Sequence, residues 1–495
     1  MKENAAAVLK EGGYTDVAII LAANDSTTER YQLQNGTGSI VNDTLRWRIS
    51  RTDERFATVP DVKIPMSKIK YLEVKTLNGA KTILLTGVLI GTAAAFIAIA
   101  SMNSGGGSSV QSTSQTGGRM QFSCPLIYTL GDSGYELESE TFAGAVFKGI
   151  ERTSYDLLTH LKPVSGEYKV KLVNARQETE YTNELKLIAV DHSPDLSVIP
   201  DASGGIHTVS ELIKPVKAVS KDGRDVTAVL SESDRKYFES DLQAVDPRND
   251  NDLVDNVTMA FSKPRDCKKA KIIVTGLNTK LAFFALERIF ALQGEERIDW
   301  YNQLDSNPKE RAKFVGWLMR EGMLHISVWN GTTWSERGII LDVGPGVEKT
   351  QITVLDIADV HGDSLKISAS FRTGLWRLDQ VAVDYSPDVP VHSHEIAPLE
   401  ARDQDGKDVS SLIAKVDPAY YVTINRQYVN ISFTVPPVEA GMARTVVAKT
   451  SGFYNQWGDS HSSVSQPQTV DSIMTVPLYG SKVFLPMWCK ADVLH

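Results

Sequence analysis

The chain repeats itself, and that repetition limits its possible folds more than any other feature. LKLIAVDHSPD (185–195) recurs as LDQVAVDYSPD (378–388). PVKAVSKDGRDVTAVL (215–230) recurs as PLEARDQDGKDVSSLI (398–413), with six of sixteen residues identical. VTMAFSKP (257–264) recurs as VNISFTVP (429–436), and KIIVTGLNTKLAFF (271–284) as RTVVAKTSGFYNQW (444–457). The matches keep their order, at offsets of 193, 183, 172 and 173 residues. Chance does not preserve order, and so long a period marks two whole domains rather than a solenoid. The repeated runs alternate apolar and polar residues and are broken by turn signals such as Asp222-Gly223, as half-buried strands are. Two related β-sandwich domains are therefore expected, over 121–279 and 323–495. Asp191 and Asp384, each shortly before a Ser-Pro pair, read as strand ends.

Between the copies, 280–293 and 308–321 read as helices. Asn307, Pro308 and Glu310 supply a cap, a first-position proline and a third-position acid, so a helical insert is expected over 280–322. Ahead of the copies, DVAIILA, RYQLQ and KIKYLEVKTL are short runs separated by Asn, Asp, Gly and Pro. They predict a small β domain over 1–80.

An apolar stretch separates this domain from the repeats. Residues 82–102, TILLTGVLIGTAAAFIAIASM, carry no charge. As a helix they would span about 31 Å, close to a bilayer's hydrocarbon thickness, so 81–102 is read as one apolar, membrane-inserted helix. Gly87, Gly91 and Ala95 form a small-residue stripe that would let two such helices approach closely. Lys63, Lys68, Lys70, Lys75 and Lys81 precede the segment, and the positive-inside rule then puts the repeats outside the cytoplasm. The first 25 residues lack the pattern of a secretory signal. Either the apolar helix is itself the export signal or a leader has been removed. Residues 103–120, rich in Gly and Ser, read as a flexible linker. The fold class expected is thus mainly β: a small N-terminal domain, one membrane helix, then two related sandwiches with a helical insert.

Composition narrows the functions. A net charge of −9, from 52 basic and 61 acidic residues, argues against nucleic acid as the main partner. Three cysteines, Cys124, Cys267 and Cys489, are too few for a disulfide framework. Gly131-Asp132-Ser133-Gly134 imitates a protease nucleophile loop, but a turn between two strands explains it better. Gly362-Asp363-Ser364-Leu365 is a literal GDSL, with Asp492 and His495 in DxxH spacing. The alternation after Ser364 is that of a strand, where this nucleophile needs a helix. His392, His394 and Glu395 have the chemistry of metal ligands, and so do Asp246, Asp250, Asp252 and Asp255. A solvated loop and an ordinary acidic loop account for them more simply. No catalytic residue, metal or cofactor is expected.

Trp329 and Trp334 flank an Asn-Gly turn, with Trp376 farther along the second copy. Exposed aromatics of this kind can hold sugar rings, and packing at a hairpin tip is the simpler alternative. Carbohydrate capture is the ligand-level expectation.

Residues 124–195 resemble a domain of bacterial cell-envelope proteins. The likeness rests on Cys124, Pro125 and Tyr128, on Gly144 to Gly149 (GAVFKG), and on Val190, Asp191 and His192. Residues 64–82 are similar to the small β domain of envelope lipoproteins, although no lipobox cysteine stands near the start. The resemblance implies a cell-envelope location and carries no catalytic residues. Together these readings lead us to expect a membrane-associated, non-enzymatic structural or adhesion scaffold. Its expected partners are membrane lipid, further copies of itself or other envelope proteins, and in the alternative reading a glycan. A GDSL-like esterase is the remote alternative.

Overall fold

The computed structural model describes the backbone of strands between residues 14 and 86, and residues 124–456 and 465–492 apart from 133 and 177. The chain divides into two compact units, Met1–Gln111 and Ser112–His495. In the first unit lie β1 (Tyr14–Asn24), β2 (Thr27–Leu33), β3 (Gly36–Val41), β4 (Thr44–Ile49), β5 (Val62–Pro65), β6 (Ile69–Thr76) and β7 (Thr82–Thr86). They form two antiparallel sheets, ordered β2-β1-β6-β7 and β3-β4-β5. The last strand corrects the start of the expected membrane helix, because Thr82 pairs with Lys75 and Thr86 with Tyr71. A Thr/Ile/Leu run just past an Asn-Gly pair returns as the second arm of a hairpin. Residues 87–102, with Gly87, Gly91 and Ala95, lie outside the described residues. Among those described, no helix is long and apolar enough to cross a membrane.

The second unit is mainly antiparallel β-sheet. Its first strands are β8 (Leu126–Gly131), β9 (Gly134–Glu140), β10 (Arg152–Leu157), β11 (Glu167–Val173) and the long β12 (Glu178–His192). A small hairpin, β13 (Ser197–Pro200) and β14 (Ile206–Val209), precedes β15 (Lys217–Ser220), β16 (Phe238–Glu239), β17 (Val254–Ser262) and β18 (Lys269–Asn278). Three helices follow, α1 (Lys280–Ala291), α2 (Arg297–Ser306) and α3 (Pro308–Trp317). Asn307 caps α3 through its side chain, and Pro308 occupies the first turn. Then come β19 (Leu324–Trp329), β20 (Trp334–Ile340), β21 (Lys349–Asp356), β22 (Ser364–Arg372) and β23 (Trp376–Asp384). The last strands are β24 (His392–Ile396), β25 (Glu400–Asp403), β26 (Tyr421–Thr423), β27 (Tyr428–Thr434) and β28 (Ala443–Gln456), followed by α4 (Pro467–Thr475) and α5 (Tyr479–Asp492).

The two sandwiches do not coincide with the two sequence repeats. One sheet of the first sandwich is ordered β25-β27-β11-β8-β9, and its other contains β10-β28-β12 with β24 and β26 on the far side of β12. The second sandwich has the sheets β15-β17-β22-β19-β20 and β21-β18-β23-β16. These orders match, except that β16 alone stands where the host has β24 and β26, yet each sandwich combines the first half of one repeat with the second half of the other. The second sandwich, spanning β15 to β23, is thereby inserted into the first, which we call the host. Expected boundaries at 279 and 323 give way to a host built from 126–192 and 392–456. The host core includes Ile127, Val170, Leu187, Ile431, Phe433 and Ala448. The inserted core includes Met259, Phe261, Ile272, Ile326, Ile367 and Val381.

Two buried ion pairs close the exchange. Asp191 on β12 pairs in register with Arg444 on β28, and its two carboxylate oxygens accept from Arg444 Nε and Nη2 at 2.6 Å each. At the equivalent place in the inserted sandwich, Asp384 on β23 lies opposite Lys271 on β18, with Nζ to Oδ2 at 3.1 Å. The strand-ending aspartates of the repeats are thus interstrand ties.

The C-terminal end is also corrected. Residues of α4 and α5, expected to continue the second sandwich, are helical. Val470, Ile473 and Met474 recur at helical spacing and are buried with Phe290, Phe314 and Trp317 of the insert. Phe147, Phe453 and Tyr454 of the host join the same cluster, and Leu281 and Leu485 of the helices pack with Leu253 and Leu375 of the inserted sandwich, so the helices touch both sandwiches. Asp191→Ala should cost about 3–5 kcal/mol of unfolding free energy, because it leaves the nearly buried Arg444 guanidinium without its carboxylate. Denaturant unfolding measures this, and a loss below about 1 kcal/mol would show the tie to be incidental.

Candidate functional site

The tryptophan hairpin is the most exposed aromatic feature predicted from sequence. Trp329 and Trp334 are register partners on β19 and β20, with ring centroids 5.6 Å apart and planes tilted by 51°. Trp334 is 41 % exposed. The turn between them is held by Asn330, whose Oδ1 accepts from the backbone of Thr332 and Thr333 at 3.0 and 2.9 Å. Gly331 there has φ +102°, a conformation that favours glycine. Beside the rings, Arg337 grips Asp359 through both guanidinium nitrogens at 2.5 and 2.6 Å. Those bonds hold the Asp359 carboxyl well below the usual carboxylate range. The tip therefore presents two indoles next to a fixed amide and a fixed ion pair.

Trp376 does not join them. It is 1 % exposed and belongs to the inserted core, where its indole donates to the Gly322 carbonyl at 3.0 Å. An indole spent on core packing cannot serve as a platform.

The remaining sequence candidates are dispersed. Ser364 begins β22, Asp492 ends α5, and His495 lies outside the described residues. Gly131 and Gly134 end the two arms of a hairpin, and Ser133 is outside the described residues. His392, His394 and Glu395 sit on a short exposed strand, β24, rather than in a loop. His392 Nδ1 contacts Glu439 at 2.9 Å, and Glu395 binds Lys186 and Lys449. Of the acidic loop, Asp246 is taken by Arg248 and Asp255 by Ser240. Among the described residues no group of three or more His, Cys, Asp or Glu side chains could hold a metal ion. Cys124, Cys267 and Cys489 are free thiols.

Two features escaped the sequence reading. The first is a cleft of about 550 Å³ between the sandwiches. Two equivalent strands border it, β10 of the host and β21 of the inserted sandwich. Arg152 on the first reaches across to Asp342 at 2.9 Å. Lys349, the first residue of the second, reaches back to Asp156 at 2.6 Å and to the Glu140 carbonyl. The cleft's central cations are thus spent on holding the lobes together. The GAVFKG loop meets this seam at Gly144 and the helices beyond it. Gly144, at φ +76°, leaves no room for a Cβ beside Asp342, Phe147 packs edge-on against Phe314, and Gly149 N donates to Asp305 at 2.6 Å.

The second is a buried acid pair. Glu178 and Glu180 stand two apart on β12, share a face, and are 1 % and 0 % exposed. Their carboxyls lie close enough to interact. Glu178 also accepts from Cys124 N at 2.7 Å, and Glu180 from Thr423 Oγ1 at 3.0 Å. Burial pushes Glu178 up to about 8. Burial, with the neighbouring Glu178, raises Glu180 as well, and burial raises the Cys124 thiol. A thiol held protonated is a poor nucleophile, so these residues act in the fold. No family model and no curated protein matches the chain.

Because the folded pair prefers its protonated form, its stabilising contribution is complete below the ordinary carboxylate range. It is lost as pH rises toward about 8. Glu178→Gln keeps an acceptor for Cys124 N without titrating. Its melting temperature should therefore gain on wild type steadily from about pH 5 to about pH 8. A difference constant across that range would contradict the assignment.

Proposed function

We propose that the chain is a non-enzymatic structural or adhesion scaffold of the bacterial cell envelope, with the two sandwiches outside the cytoplasm. The exchange of half-repeats carries this reading. Each sandwich is completed by strands of the other repeat, and a shared helical cluster covers both, so the body behaves as one unit. Such a body suits spacing, adhesion and assembly. Its shared polar residues are committed to ties: Asp191 to Arg444, Asp384 to Lys271, Arg152 to Asp342. The apolar residues 87–102 that follow β7, with the Gly/Ser-rich linker, support membrane association with the body held off the surface. The chain should sediment with membranes, and protease cleavage within 103–120 should release a soluble body. Recovery of the whole chain in the soluble fraction without detergent would overturn the membrane part.

A second reading, surface carbohydrate capture, is favoured by one observation, the exposed Trp334 beside Trp329. Burying the apolar surface of a large side chain contributes about 1.5–3 kcal/mol, so Trp334→Ala should weaken retention on a responsive glycan by tenfold or more, as expected for about 1.4 kcal/mol. Melting should stay unchanged, because exposed positions alter stability by about 0.5 kcal/mol or less. Undiminished retention by the variant would remove this reading.

A further inference from the structure

The outer face of the sheet that carries the tryptophan hairpin differs from its duplicate in a way that folding does not require. On β15-β17-β22-β19-β20 the inward residues are Val257, Met259, Ile326, Val328, Leu365 and Ile367, all buried. Their neighbours along each strand point outward. Register then places Val219, Thr258, Ser368, Ser327 and Glu336 side by side across the five strands. The next row is Lys217, Ala260 and Lys366. Val328 pairs with Ile367, which brings Trp329 level with Lys366, and Trp334 pairs with Trp329.

The host sheet holds the corresponding rows. Arg402, Asn430, Lys171 and Tyr128 are its cross-strand neighbours. Glu400 and Ser432 pair in the next row, and Lys169 pairs with Ser432. Long side chains cover this surface. Lys171 Nζ lies 4.7 Å from the Tyr135 ring centre and 4.9 Å from that of Tyr428, and Arg402 pairs with Glu400 at 2.6 Å. Where the host has Arg402, Lys171 and Tyr128, the inserted sandwich has Val219, Ser368 and Ser327. The exchange replaces long charged and aromatic side chains with short, mostly hydroxyl-bearing ones, which cover less of the sheet. It leaves a hydroxyl-lined track beside the row that holds the two indoles.

The charges differ as well. Glu400 of the host corresponds to Lys217, so the tryptophan row carries two lysines and no acid. Lys366 has no carboxylate partner, and Lys217 has only a longer-range interaction with Asp225. The nearby acids are engaged, Glu336 by His325 at 3.0 Å and Asp359 by Arg337.

From this we infer that the outer face of the inserted sandwich binds an acidic polysaccharide. Sugar rings stack on Trp329 and Trp334, Lys217 and Lys366 pair with the chain's carboxylates, and the Ser/Thr row receives its hydroxyls. The inference rests on the carbohydrate reading and adds to it the charge of the ligand and the residues that select it.

The full chain, in detergent if needed, is tested for binding to polygalacturonate and to a neutral galactan at low and high salt. Polygalacturonate should bind more tightly, and more weakly as salt rises. The double variant Lys217→Gln, Lys366→Gln should lose about tenfold in that affinity with unchanged melting. Ser368→Glu, which sets a like charge in the track, should block binding to a similar extent. Equal affinity for both polymers, or binding indifferent to these three substitutions, would overturn the acidic-face assignment while leaving capture at Trp334 standing. Failure to retain either polymer would overturn the acidic-face assignment, and failure across a wider glycan array would remove the carbohydrate reading with it.

Discussion

A carboxylate on the strand that ends the first half of each repeat must be desolvated on folding, and a cation on the last strand of a second half compensates its charge. Asp191 is 1 % exposed and Asp384 2 %, so either left alone would cost several kcal/mol. The answering groups are Arg444 and Lys271, each in register across an antiparallel pair. A slip of one residue along β12 or β23 would turn the aspartate to the opposite face and break the tie. Register at these positions therefore fixes which residues of Ala443–Gln456 and Lys269–Asn278 enter the cores. It also decides where Phe453 and Tyr454 meet the helices, and the helical cluster depends on that placement.

Much of the fold was legible in the sequence, because alternation and turn chemistry are local. The repeated runs around Asp191 and Asp384 did become equivalent strands, and the start signals at Asn307 and Pro308 mark a real helix. What could not be read was which halves pair. Both second halves offer a cation at the same place, and both first halves offer an aspartate. Charge alone does not tell Lys271 from Arg444 as the partner of Asp191. The choice lies in non-local packing, such as Phe147 against Phe314 and Arg152 against Asp342, which no single segment encodes. The C-terminal helices were missed for a different reason. Val470, Ile473 and Met474 have helical spacing, and Pro467 was a readable start, but the strand-rich sequence before them set a misleading context.

The candidate site was legible in part. An Asn-Gly turn between two tryptophans does make an exposed hairpin tip, since that turn closes two strands with little steric cost. Trp376 could not be separated from that pair by its neighbours, because β23 is buried on both faces and shows no alternation to reveal which way the ring points. The Glu178–Glu180 pair was equally hidden. Two glutamates spaced by one residue normally lie on a solvated strand face, and only the surrounding structure makes them a buried acid pair.

Duplication separates what the fold needs from what it merely permits. Both sandwiches keep the buried acid and cation, the Asp-Gly turn after the edge strand, and apolar inward positions. Gly223 and Gly406 share the same positive φ in those turns, as an identical hairpin would require. The outward faces are free of these constraints, and there the copies part. On the host sheet Lys171, Arg402, Tyr128 and Tyr428 spread over the strands, and their stems shield the backbone as long side chains do. The inserted sheet is stripped to Ser327, Ser368, Thr258 and Ala260 beside a pair of tryptophans. A fold that tolerates either covering does not by itself select the barer one. The difference therefore concerns what approaches that face from outside, and it lies on the sandwich held at both ends by the host.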